Sequence, residues 1–250
     1  MALDFCPDTA VARAAAARLV SPCGTCDARP LSVCMGVADG CLDQLAAAIT
    51  TVRLSAHGTL AAEGEDADHF FNITAGAVKL YKLLPDGRLQ IVGFLFPGDF
   101  VGLAVRETYA YSVEAILPTT ACRFERRQFE RLLERFPEMA VRLRERASDE
   151  LAIAQEQMLS LGRKSAKERV ASFLLQLSRR AARLGLPSNP IILPMSRADI
   201  ADYLGLTIET VSRTMTRLKT AGIITLGAGH SVTLHRERLE EIGEGWGDAD

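Results

Sequence analysis

Between positions 196 and 226 the chain reads SRADIADYLGLTIETVSRTMTRLKTAGIITL, and its apolar residues recur every three to four positions in two short runs broken by Gly205. Ala198, Ile200, Ala201 and Leu204 make the inward face of one predicted helix, and Ile208, Val211, Met215 and Leu218 that of a second. Ser196 with Asp199 three positions on has the form of a capping box, which satisfies backbone N–H groups left open at a helix start. Gly205 ends the first helix where a left-handed residue is usually needed, Thr207 caps the second, and Gly222 closes it. Two helices joined by a tight glycine turn read as a helix-turn-helix. Alternating runs at 223–226 and 231–234, on either side of Gly-Ala-Gly at 227–229, add a two-stranded wing.

Elsewhere the period changes. From about 52 to 123 the runs are short, alternating and broken by glycine; Pro85-Asp86-Gly87 turns 78–83 back onto 89–92 as a hairpin, and the whole stretch predicts a small antiparallel barrel or jelly roll. Helical spacing resumes at 127–136 and restarts after Pro137, a residue suited to a first helical turn. No Pro or Gly follows before Gly162, so some 26 residues form a helix of roughly 39 Å. Ala140, Ala147, Leu151, Ala154, Met158 and Leu161 fall on an a/d seam, with Arg144 the exception, and such a seam calls for a parallel partner helix. A further amphipathic helix spans 165–184 (Val170, Phe173, Leu174, Leu177), followed by a loop at 185–190; after Glu237 the chain turns acidic and Gly-rich and is expected to fray, with Trp246 in it.

Charge changes this picture at one end. The net charge is −2, but positions 163–236 hold 12 Lys/Arg against four acids, a formal +8 that leaves −10 on the rest. That basic block is where phosphates would lie. The outward face of the second short helix carries Glu209, Ser212 and Arg213. In this motif that part of the helix enters the major groove, where Arg213 can pair with guanine O6 and N7 and Glu209 can accept from a cytosine amino group. Arg197, Thr207, Thr210, Arg217 and Lys219 are the candidate phosphate contacts. With 24% charged and 48% hydrophobic residues the chain reads as soluble. The Ala/Val stretch at 10–20 is interrupted by Arg13 and Arg18, so neither a signal peptide nor a membrane span is expected and a cytoplasmic location is. An enzyme is not expected: His57, His69, His230 and His235 show no ligand spacing, and there is no nucleophile elbow or phosphate loop.

The remaining chemistry is sulfur. Cys23, Cys26 and Cys34 stand as C-x2-C-x7-C in a stretch with Gly and Pro, which can wrap a soft cation or cluster as a helix cannot. A closed site needs a fourth ligand, from Cys6, Cys41 or Cys122; Cys41 could also replace Cys34. The residues alone leave an iron-sulfur cluster and a structural zinc ion both open, and disulfides are disfavoured where thiols stay reduced.

YLGLTIETVSRTMTRLKTAGII resembles the DNA-binding signature of the Crp-Fnr family of bacterial transcription regulators, in particular the Fnr branch with its E-x-x-S-R recognition helix, onto which Glu209, Ser212 and Arg213 fall. The resemblance extends with lower density from Cys23 to about His235. It implies an α+β protein, with a cysteine-bearing region at 1–45, a cyclic-nucleotide-binding-type β-roll sensor domain at 46–136, a dimerisation helix at 137–163, a winged helix-turn-helix at 164–237 and a flexible acidic tail at 238–250. It also implies an activator that binds palindromes of TTGAT-like half-sites as a homodimer and touches RNA polymerase, through exposed loops such as 85–88 and 184–189. By the same resemblance Cys23, Cys26, Cys34 and Cys122 hold a [4Fe-4S] cluster of an oxygen-sensing regulator, although seven residues rather than the best-known five separate Cys26 from Cys34; bound beside the start of the long helix through Cys122, the cluster is expected to bias helix pairing, so that its loss to oxygen weakens the dimer. No cyclic nucleotide is expected. Nucleotide-binding relatives carry an Arg-Ser pair after the roll's Gly-rich turn; this chain gives LAVRETYAYSVEA, in which Arg106 is followed by Glu107.

Overall fold

The computed structural model describes residues 21–102 and 107–243. They fall into two compact units, one taking the chain up to Lys82 together with Gly93–Glu150, the other Leu83–Val92 together with the chain from Leu151 on.

In the first unit three 3-10 turns (Arg29–Leu31, Val33–Gly36 and Asp39–Cys41) lead into α1 (Leu42–Ala47). Eight short strands follow: β1 (Ile49–Leu54), β2 (Thr59–Ala61), β3 (His69–Ala75), β4 (Val78–Leu83), β5 (Leu89–Leu95), β6 (Phe100–Val101), β7 (Ser112–Ala115) and β8 (Thr119–Glu125). They form two four-stranded sheets, ordered β1-β8-β3-β6 and β2-β7-β4-β5. The glycine-broken alternation in the sequence is thus a β-roll, and its hairpin is β4–β5.

Side chains alternate across a strand, so each strand of the first sheet feeds two cores. Phe71 and Ile73 of β3, Val101 of β6 and Ala121 of β8 fill the roll with Val78, Leu95 and Val113. Their neighbours Phe70, Phe100 and Phe124 point the other way, meeting Phe129 and Leu132 of α2 (Arg126–Arg135), Met139, and Val33, Cys34, Val37, Leu42 and Leu45 from the cysteine-rich segment. The rings of Phe70, Phe100 and Phe129 lie 4.8 to 5.5 Å apart. Covered on both sides, β3 reads HFFNIT with no polar alternation.

The long helix α3 (Pro137–Arg163) begins with its proline and continues past the boundary of the two units. The second unit adds α4 (Ala166–Arg183), β9 (Ile191–Ile192), α5 (Arg197–Leu204), α6 (Ile208–Thr220), β10 (Ile224–Leu226), β11 (Ser231–Leu234) and α7 (Arg236–Gly243). Both expected caps of the helix-turn-helix form. Ser196 and Asp199 bond reciprocally, and Gly205 takes φ 62° and donates its N–H to the carbonyl of Ala201.

Three features depart from expectation. The wing has three strands, because the two-residue β9 pairs with β11, too short to register as a pattern. Ile208, expected inward, is 49% exposed, and Tyr203 takes a place in the core at 4%. At the first position of a helix the side chain leans back over the open end rather than onto the packed face. The tail expected to be flexible from 238 is helical to Gly243: Leu239 and Ile242, a turn apart among acids, bury themselves, and Lys164 Nζ donates to the carbonyl of Gly243 at 2.7 Å. Residues 244–250, with Trp246, lie outside the described residues.

Gly36 is the tightest point of the first unit: a Cβ there would stand 2.4 Å from the Met139 nitrogen and 2.6 Å from the Glu138 carbonyl carbon, both backbone atoms at the start of α3. Gly36→Ala should therefore cost about 1–3 kcal/mol, the usual penalty of overpacking. Urea unfolding at fixed protein concentration checks this, and an unchanged midpoint would mean that the segment does not sit on the helix.

Candidate functional site

Cys23, Cys26, Cys34 and Cys122 are the free cysteines among the described residues, and all four line one cavity of about 230 Å³ in the first unit. Three come from the 3-10 segment and one from β8. Ser21 Oγ accepts the Cys23 N–H at 3.3 Å, and Ser32 Oγ accepts the Cys34 N–H at 3.2 Å as a cap. Arg29 ties the far side of this segment back, donating to Asp39 Oδ1 at 2.8 Å and to the carbonyl of Val37 at 2.7 Å. Cys122 is placed by strand register: on β8 it sits between Thr51 of β1 and Asn72 of β3, and both neighbours line the cavity.

Cys23 and Cys34 are buried, Cys26 and Cys122 half-buried. Burial pushes the Cys34 thiol up to about 12; the Ser32 hydroxyl opposes this shift and the nearby thiols of Cys122, Cys23 and Cys26 reinforce it. Burial also pushes Cys122 up to about 12, with Cys26 and Cys23 adding to it, and raises Cys23, where Cys26 adds. Thiols so raised are protonated at neutral pH, so a bound cation must displace protons from them, and binding strengthens as pH rises. Among the described residues no group of three or more His, Cys, Asp or Glu side chains converges to single-ion spacing. Asn72, 2% exposed, brings to the cavity wall an amide oxygen with no partner, a residue whose side-chain role the sequence pattern did not signal. Cys41 is buried in the apolar cluster and is not among the free thiols, and Cys6 lies outside the described residues.

In the second unit α6 presents Glu209 and Arg213 fully to solvent and Ser212 partly. Thr207 caps the helix, its hydroxyl accepting the Thr210 N–H at 3.2 Å and sharing a 3.0 Å bond with the Thr210 hydroxyl. Hydrogen bonds from its own backbone N–H and from Thr207, then the charge of Arg213, hold the Glu209 carboxyl below the usual range, so it stays an acceptor. Of the expected phosphate contacts, Thr207, Arg217 and Lys219 are exposed and Thr210 and Arg197 half-buried. The helix pair is fixed from behind by Arg169, which sequence pattern did not single out. Its guanidinium donates to the carbonyls of Lys164, Leu204 and Leu161, each at 2.9 Å, joining the end of α3 to the end of α5.

On α3 the seam is open in its middle: Ala147, Leu151, Ala154 and Met158 are exposed, the leucine by 60% and the methionine by 65%. Its ends, Ala140 and Leu161, are half-buried in their own chain, Leu161 against Gly205.

Comparison with known proteins gives this arrangement a family. The description of a cyclic nucleotide-binding domain matches residues 51–136, and that of a Crp-like helix-turn-helix domain matches 168–242. The chain is similar to the transcriptional activatory protein AadR of Rhodopseudomonas palustris, 45% identical over 203 residues that cover 80% of this chain and 84% of that one. The chain belongs to the Crp/Fnr family of transcription regulators. It is also similar to the transcriptional activator protein FnrL of Cereibacter sphaeroides, at 39% identity over 89% of this chain and 92% of that one. The solved structure of FixK2 from Bradyrhizobium japonicum matches with a TM-score of 0.72 at 37% identity, covering 81% of this chain and 99% of that chain. As a Crp/Fnr member the chain is a DNA-binding transcription regulator and not an enzyme. Among its described residues no helix is long and apolar enough to cross a membrane.

Glu209→Ala should relax the base preference at one position of the half-site, by about 1–3 kcal/mol of discrimination. Lys219→Ala should weaken all sequences alike. Competition binding against single-base variants at fixed salt separates the two, and an unchanged preference for Glu209→Ala would misplace the reading helix. At the cavity, metal-free protein at pH 8 should alkylate at Cys34 and Cys122 on the order of 100-fold more slowly folded than in urea, since the thiolate is the nucleophile. Quantitative mass spectrometry of the labelled peptides reads this ratio; a ratio near one would mean that these thiols are neither buried nor raised.

Proposed function

We propose that this regulator is an activator that senses oxygen through a [4Fe-4S] cluster held by Cys23, Cys26, Cys34 and Cys122, and that it binds TTGAT-like palindromes as a homodimer when oxygen is low. The observation that carries the reading is the cavity itself: four free thiols from two distant stretches of chain line one space. The orphaned amide of Asn72 supports a polar occupant, since with its amide turned it offers N–H groups to sulfur.

When bound, such a cluster supplies iron–sulfur bonds that oxygen breaks. The rest is done by the chain. The four cysteines give up their thiol protons to become ligands. Ser21 and Ser32 hold the backbone at Cys23 and Cys34, and Arg29 closes the segment. The roll serves as scaffold rather than nucleotide pocket: its own cavity of about 160 Å³ is lined mostly by apolar and aromatic residues such as Leu80, Leu95, Val101 and Val113, and Arg106 lies outside the described residues. The exposed middle of the α3 seam pairs with a second copy, placing two α6 helices one DNA turn apart as a palindrome requires. RNA polymerase is met by exposed loops such as 85–88 and 184–189, and the protein works in the cytoplasm, where its DNA is.

Protein purified without air should contain about four iron and four acid-labile sulfide per chain. Exposure to air should lower both its dimer fraction in sedimentation and its affinity for a TTGAT palindrome. Zinc in place of iron, or equal dimerisation and affinity before and after air, would remove the sensing claim and leave a zinc or thiol-redox regulator of the same fold.

A further inference from the structure

The segment that bears three of the cysteines is gripped by α3 at two points. Arg146 Nη2 donates to the carbonyl of Leu31, and the backbone of Gly36 lies directly on that of Met139, where not even a methyl group would fit. Met139 and Arg146 are seven residues apart, roughly 10.5 Å along the helix, and between them Leu143 packs on the same apolar cluster. These three positions, 139, 143 and 146, form one stripe. Cys34 lies between the two gripped residues of the segment. A change of backbone at Cys34 therefore either pulls on α3 or breaks one of the two contacts. The Gly36 contact is van der Waals only, so the directional link is the Arg146 hydrogen bond.

The residues that follow the two grip points are Ala140 and Ala147, which lie on the a/d seam, the first at its half-buried end and the second in its exposed middle. We propose that Arg146 is the positioning residue through which the conformation of the cysteine segment sets how two copies of α3 pair. The inference rests on the dimer reading above, but assigns the coupling to the Leu31 carbonyl and does not require iron to be the occupant of the cavity.

The test is a double-mutant cycle on the dimer dissociation constant, measured without air by sedimentation on the full chain for the unmodified protein, Cys34→Ala, Arg146→Met and the double variant. Cys34→Ala should weaken the unmodified dimer at least about fivefold, the low end of allosteric couplings, and should change the Arg146→Met dimer less than about twofold. Arg146→Lys, which keeps a donor for Leu31, should restore part of the response, and Glu145→Gln, exposed on α3 and off its a/d seam, should leave all of it. Equal responses with and without Arg146, or no response to Cys34→Ala at all, would overturn the proposal. Should Arg146→Met fail to fold, amide hydrogen exchange decides: Cys34→Ala alone must deprotect residues 143–150 of α3, and unchanged protection there sinks the coupling. Iron analysis of the same samples keeps the two readings apart. Iron without coupling removes the Arg146 link and leaves the cluster; coupling without iron does the reverse.

Discussion

The sheet β1-β8-β3-β6 must be covered on both faces, and most of what the first unit does follows from that constraint. One face closes the roll. The other is an aromatic floor of Phe70, Phe100 and Phe124 that no strand covers, so the chain spends its N-terminal described residues and the start of its helices on it. The cysteine segment is thus a lid held by hydrophobic burial as well as a source of thiols. Because period two puts Cys122 on the same face as Phe124, the strand that anchors the lid's apolar residues also supplies the fourth thiol. Packing and chemistry use the same residues, so a change at the thiols cannot leave the packing of the lid untouched.

The second unit meets a different constraint: a reading helix needs its outward side chains free and its own position fixed. Local capping fixes the start of α6 through Thr207, and at the same helix end the backbone N–H of Glu209 and then the Thr207 hydroxyl bond the Glu209 carboxyl and lower its pKa. The position of the helix pair depends on Arg169, whose three bonds to carbonyls of α3, α5 and the link into α4 are charge-assisted and use both terminal nitrogens and Nε. Lys in its place would keep one of three bonds at most.

What the sequence made legible was what local physics decides. The capping box at Ser196, the left-handed Gly205, the β4–β5 hairpin and the helical starts at Pro137 and Thr207 each depend on residues within four positions of one another. What stayed hidden depends on distant partners. Nothing near Asn72 marks it as the neighbour of Cys122 fifty positions on, since that adjacency exists only in the register of β3 and β8. Strand β9 is two residues long and is a strand only because β11 is beside it. In α7 the apolar pair Leu239 and Ile242 is outnumbered by acids, and burial against the rest of the unit overrode a composition that reads as frayed. The gathering of the four thiols shows both sides: the C-x2-C-x7-C spacing announced three of them, while the fourth needed either a resemblance or a sheet.

The seam of α3 explains why so small a lever as one arginine could matter. If two copies pair along it, the side chains withdrawn from water are chiefly Leu151 and Met158 of each chain, flanked by Ala147 and Ala154, which bring the helices close but bury little. Four such side chains contribute about 6–12 kcal/mol at the usual 1.5–3 apiece. Association itself costs about 4–15 kcal/mol in lost translational and rotational freedom. The two ranges overlap, so pairing along this seam sits near balance, and a coupling of about 1–3 kcal/mol from the cysteine segment is then enough to decide it. A seam of leucines throughout would bury more apolar surface and pair more tightly; the alanines at 147 and 154 keep that buried area small.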